Sequence, residues 1–130
     1  MALMKFREPN QVKWQGFRPG HNGEQITLFQ NVTNGTISIY TVAAGKTFYL
    51  TDWVFTVSDS VGGGRGLLLV QNLVPATEYY IVWHVIQGIG GWMESCALTY
   101  PIEIPTGWKI RVSSDIVTTF VSGFIHGWVE

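Results

Sequence analysis

"AAGKTFYLTDWVF", residues 43–55, decides how this chain is read. Gly45-Lys46-Thr47 is the ending of a phosphate-binding loop. Such a loop needs a second glycine five residues before its Gly-Lys pair, so that consecutive backbone N–H groups curl around the phosphates. Tyr40 stands there instead. The loop also needs a helix directly after it, with its N-terminus facing the anion. The next residues are Phe48-Tyr49-Leu50-Thr51-Asp52-Trp53-Val54-Phe55, a run of aromatic and β-branched residues that suits a pleated strand. The nucleotide reading fails on both counts, and Ala44-Gly45 becomes a turn that launches a long strand.

The alternation of that strand, residues 47–58, slips. Phe48 and Leu50 share one face, while Trp53, Phe55 and Val57 share the other. A bend or bulge near Asp52 accounts for the slip. Elsewhere Gly or Pro punctuates the chain about every ten residues, and no segment keeps a helical period. Residues 25–31 and 36–42 read as strands around Asn34-Gly35, a hairpin signal. Residues 62–66 read as a flexible glycine loop. Residues 66–73 and 79–87 are apolar on both faces, 92–100 is a further strand, 101–107 is a turn-rich link, and 108–113 alternates. The last strand spans residues 116–129. The expected fold is all-β: a jelly-roll-like β-sandwich of about eight antiparallel strands, residues 25–130.

Residues 1–24 differ. They hold Lys5, Arg7, Lys13 and Arg18, four of the chain's 8 basic residues, among Phe6, Trp14 and Phe17. Pro9, Gly16, Pro19, Gly20 and Gly23 break any regular element. The expectation is an extended N-terminal arm laid on a surface such as a neighbouring subunit's, with Phe6, Arg7, Trp14, Phe17 and Arg18 as its contact residues. The first ten residues lack an apolar core and do not read as a signal peptide.

Only 13% of the residues are charged, against about 25% in typical soluble domains. The apolar share is 46%, with 6 Trp, 7 Phe and 5 Tyr in 130 residues. So much greasy surface calls for cover by copies of the chain or by a partner. A strand covered on one side only should alternate. The doubly apolar strand at 79–87 therefore supplies the candidate subunit interface, assigned to Tyr80, Val82, His84 and Ile86. The net charge of −1 gives no general attraction to nucleic acid or membrane. No apolar run approaches the roughly 20 residues of a membrane helix.

Chemistry is sparse. The three histidines, His21, His84 and His126, fall on different segments, whereas a cupin-type metal site needs two on one strand face with a carboxylate and a third histidine. The carboxylates are scattered near turns, and Cys96 reads as a buried small thiol. No catalytic residue, metal site or cofactor is expected. Six tryptophans keep sugar stacking open as an alternative, with Trp92 beside Gly90-Gly91 the best-placed ring.

Two stretches carry a resemblance. "VAAGKTFYLTDWVFTVSD" (42–59) and "YPIEIPTGWKIRVSSD" (100–115) resemble strand–turn segments of jelly-roll virion proteins of tailed bacteriophages. With the final strand they cover about half the chain. The resemblance implies a non-enzymatic structural role as a capsid decoration, minor capsid, fibre or tail component, commonly trimeric. It places the protein in the virion, made in the host cytoplasm. The implied partners are itself, the major capsid protein and, in the fibre or tail alternative, a host surface glycan.

Overall fold

The computed structural model describes residues 23–74 and 76–130. The arm residues Phe6, Arg7, Trp14, Phe17 and Arg18 lie outside the described residues. The described chain forms eight strands: β1 (Glu24–Thr33), β2 (Gly35–Thr41), β3 (Phe48–Asp59), β4 (Arg65–Leu73), β5 (Ala76–Val85), β6 (Gly90–Ile104), β7 (Lys109–Ser114) and β8 (Thr119–Val129).

The strands pair as one long ribbon folded at the β4–β5 turn. β4 pairs with β5, β3 with β6, β2 with β7 and β1 with β8, all antiparallel. Rolling the ribbon up adds two further antiparallel pairs, β8 with β3 and β7 with β4. Two four-stranded sheets result, β1-β8-β3-β6 (sheet 1) and β2-β7-β4-β5 (sheet 2). This winding makes the sandwich a jelly roll. Every connection except β4–β5 crosses between the sheets.

That crossing corrects the hairpin reading of Asn34-Gly35. Asn34 does take a left-handed φ of 49°. Yet β1 bonds β8 and β2 bonds β7, so the chain turns a corner from one sheet to the other. Asn-Gly sets the local backbone and leaves the strand partner open.

The slip in β3 is a bulge. Its register shifts between Leu50 and Asp52 against both neighbours: Thr51 is the extra residue against β8, whereas against β6 the surplus lies in β6. The shift lets Phe48, Leu50, Trp53, Phe55 and Val57 all bury in one core. Opposite it, β6 does not end at Pro101 but runs on to Ile104. Between Ala97 and Ile102, four residues of β6 face the single Thr51. Pro101 sits within this irregularity of an edge strand, where its missing N–H costs no ladder bond. The turn comes later, at Gly107 with φ 82°. β8 begins at Thr119 rather than Ile116, because the Thr119 N–H bonds back to the Ile116 carbonyl in a turn (3.1 Å).

The core fills the space between the sheets, with Ile39, Leu68, Ile110, Val112, Val121 and Ile125 meeting the β3 side chains. Gly123 faces this core from β8. A Cβ there would stand 2.6 Å from Val112 Cγ1 and 3.2 Å from Ile39 Cδ1. The glycine loop after β3 is pinned, contrary to the flexible loop expected. The Asp59 carboxylate accepts from the N–H groups of Val61 and Gly64 and from the Thr119 hydroxyl, each at 2.9 Å. Backbone N–H groups of Gly62 and Val61, with help from Thr119, hold the Asp59 carboxyl well below the usual carboxylate range. A Cβ at Gly64 would collide with the Thr119 hydroxyl.

This packing has two measurable outcomes. Gly123→Val overfills the core and should lower unfolding free energy by about 1–3 kcal/mol in urea titrations; an unchanged midpoint would contradict the packing. Because the folded Asp59 carboxyl titrates below its ordinary 3.8, its stabilisation is complete above that pH and drains away as pH falls below it. The wild-type urea midpoint should drop steeply below about pH 4. Asp59→Asn should begin less stable at neutral pH and lose less on acidification, and parallel pH curves for the two proteins would refute the clamp.

Candidate assembly surfaces

The two sides of the sandwich differ. On one, β1 packs against β2 and β7. On the other, β5 and β6 leave their shared corner and spread apart. Near that corner the His84 ring stacks on Trp92, centroids 3.9 Å apart and planes 4° from parallel. Farther along, a cleft of about 500 Å³ opens between the edges. Trp53 and Val70 contribute core side chains to it, and Tyr79, Ile81, Ile102 and Trp108 line its rims. Tyr79 stacks on Trp108 at 5.6 Å. The indole N–H of Trp53 is buried without a hydrogen-bond partner. Both edge strands are acidic: β5 and β6 carry Glu78, Glu94 and Glu103 and no Lys or Arg. Glu103 lines the cleft itself.

The outer face of sheet 2 is the second apolar surface. Register shifts between Leu68 and Leu69 on β4, where Ile81 is the extra residue of β5. Val82 and Ile86 therefore join the core, His84 turns toward Trp92, and Tyr80 points outward. The four residues assigned to a subunit interface do not share one face, and three of them look inward. The outward side chain of this stretch is Trp83, 56% exposed beside Leu67. A polar chain crosses the same face: Arg111 Nη1 donates to Gln71 Oε1 (2.6 Å), and Gln71 Nε2 donates to Glu78 Oε2 (3.1 Å). The Tyr80 hydroxyl donates to the other oxygen of Glu78 (3.2 Å). The bulge that flips the face leaves no mark in residue type, so periodicity alone could not place it.

Sheet 1 presents a third surface. Phe29 and Phe124 stack across β1 and β8 with centroids 4.6 Å apart, and Phe120 lies exposed two residues beyond Ser122 on the same row. Trp128 also belongs to this outer row, yet only 1% of it is exposed. Tyr49 stacks on it at 4.9 Å, and Gly23 presses so close that a Cβ there would meet Trp128 Cδ1 and the Val129 carbonyl. His126 shares a 2.6 Å hydrogen bond with the Thr27 hydroxyl, tying β8 to β1.

Among the described residues the histidines stay apart. His84 and His126 lie in different sheets. Among the described residues no three His, Cys, Asp or Glu gather as a metal site. Cys96 is half-buried, more open than expected. Trp92, the candidate sugar-stacking ring, has one face against His84 and an edge contact with Phe55.

No family model matches the chain, and no curated protein matches it. Among solved structures the fold is similar to that of a pentameric capsid protein isolated from metagenomic phage sequences. The TM-score is 0.52 at 15% identity, over 78% of this chain and 61% of that one. The PRD1 vertex protein P5 gives a TM-score of 0.43 at 14% identity, over 79% of this chain and 72% of that one. This chain thus spans about three fifths of the metagenomic capsid protein, 61% of its length. The protein is an all-β jelly roll. More particularly, its fold is similar to that of the pentameric phage capsid protein.

The contrast between two tryptophans checks the placement of these surfaces. Trp83→Ser should change unfolding free energy by less than about 1 kcal/mol. Trp92→Ala, which strips the His84 stack and a core contact, should cost about 2–4 kcal/mol. Guanidinium titration reads both, and equal costs would overturn the assignment of faces.

Proposed function

We propose that this chain is a non-enzymatic structural protein of a phage virion, a capsid decoration or minor capsid component that works as a homo-oligomer. The observation that supports it best is the jelly roll shared with a pentameric phage capsid protein, joined to large aromatics left exposed on β5. Tyr79, Tyr80 and Trp83 are each more than half exposed, and aromatic side chains are enriched where proteins meet. A shell protein needs self-complementary surfaces more than reactive groups. Burial of roughly 800 Å² per partner at about 25 cal/mol/Å² is a large gross term, part of which association costs consume.

The arm, residues 1–24, belongs to this proposal. Phe6, Arg7, Trp14, Phe17 and Arg18 are its contact residues, and a tether raises avidity without new strand pairing. Three copies is the number implied by the virion resemblance, and five is the number in the solved capsid protein. The major capsid protein of the particle is the second partner.

Light scattering on the purified full chain should give the mass of a closed oligomer at micromolar concentration, and that mass decides between three and five. A clean monomer that also fails to bind purified shells would end the proposal. Removing residues 1–22 should weaken assembly while the far-ultraviolet spectrum of the sandwich stays unchanged, because β1 begins at Glu24.

A further inference from the structure

The cleft between β5 and β6 and the first 22 residues complement each other in three respects. The first is charge. Residues 1–22 contain four basic side chains, Lys5, Arg7, Lys13 and Arg18, against one acid, Glu8. The remaining residues contain four basic and eight acidic side chains. β5 and β6 carry three acids and no Lys or Arg; Glu103 lines the cleft, and Glu94 lies farther along the strand that forms the same wall. The second is apolar content. The cleft offers aromatic and aliphatic rims in Tyr79, Ile102 and Trp108, and the first 22 residues carry Phe6, Trp14 and Phe17.

The third is geometry. Gly23 presses on Trp128, which lies on the outer row of sheet 1. The chain therefore enters β1 over the outside of the sandwich, at the edge opposite β6. The cleft lies three strand spacings away, about 15 Å, and opens between the sheets rather than on that outer face. A chain's own leading segment would have to round β6 to enter it. A neighbour set edge to edge presents its cleft directly. The root of the segment and the cleft sit on opposite edges, the arrangement of a head-to-tail contact, which makes a ring where the rotation between copies closes. Twenty-two residues reach at most about 75 Å, ample to cross such a contact.

We propose that the β5–β6 cleft is the seat of residues 1–22 of a neighbouring copy. Basic side chains of the incoming segment face Glu94 and Glu103, and its aromatic side chains fill the space between Tyr79, Ile102 and Trp108. This assignment rests on the oligomeric reading above and makes each copy's cleft incomplete without the next.

Disulfide trapping in full-length chains tests it. In a Cys96→Ser background, a chain carrying Gln15→Cys is co-expressed with one carrying Ile102→Cys. The expected result is a link between the two different chains, seen as doubled mass on a non-reducing gel. A chain carrying both substitutions that links only to itself seats its own segment and overturns the proposal. Retained oligomer mass with no link in either arrangement overturns the seat and leaves the oligomer standing. A monomeric mass removes both. Charge exchange gives an independent reading that mere structural damage would not produce. Glu94→Lys with Glu103→Lys should weaken assembly roughly tenfold. Adding Lys13→Glu and Arg18→Glu to that chain should restore most of the loss, and a failure to restore would refute the pairing.

Discussion

Two four-stranded sheets have four edges between them, and the winding of this chain brings only one pair of edges together. At the β1–β2 side the strands pack on one another. At the β5–β6 side they touch near their corner through His84 and Trp92 and then diverge. The divergence has local causes. Ile81 adds a residue to β5, and residues 98–101 add three more than β3 can match to β6. Both edge strands thus leave the regular ladder, and core side chains such as Trp53 and Val70 come to line an open cleft. The surfaces of the molecule derive from this asymmetry.

The same asymmetry explains why a small domain shows so many aromatic residues. The inner faces are already filled by side chains from β3, β7 and β8. Leu67 and Leu69 on the opposite face of β4 cannot join that core and bury on the outside of sheet 2, where Trp83 and Tyr80 stand opposite them across the ladder. On sheet 1, Phe29 and Phe124 pair with each other for the same reason. Each outer face thus carries apolar side chains for which the core has no room. Exposed apolar patches of this kind mark contact surfaces on soluble proteins.

Much of the architecture is legible from residue patterns. The strand after Lys46, the slip near Asp52 and the strand count all rest on side-chain periodicity, which burial enforces directly. The features that periodicity hides are those that depend on partners. Asn34-Gly35 announces a turn, but only the whole winding says that the turn is a corner between sheets. Pro101 looks like the end of a strand, because a proline is tolerated only at an edge or an irregularity and neither is visible in one segment. The largest departure is in β5. A single extra residue at Ile81 reverses which side chains face the core. Val82 and Ile86 go inside, His84 turns to Trp92, and Trp83 takes the outside. Both faces of that stretch are apolar, so composition could not choose between them.

The broken middle of β6 has a further consequence. An exposed strand with an uninterrupted row of backbone groups can recruit identical strands one after another, the growth mode of cross-β polymers. Between Ala97 and Ile102 the row in β6 is displaced by the extra residues, and Pro101 contributes no donor at all. A ladder begun from either end of β6 meets the displaced stretch and halts. The β6 edge is therefore a poor template for such growth, because of a defect in its own hydrogen-bonding row.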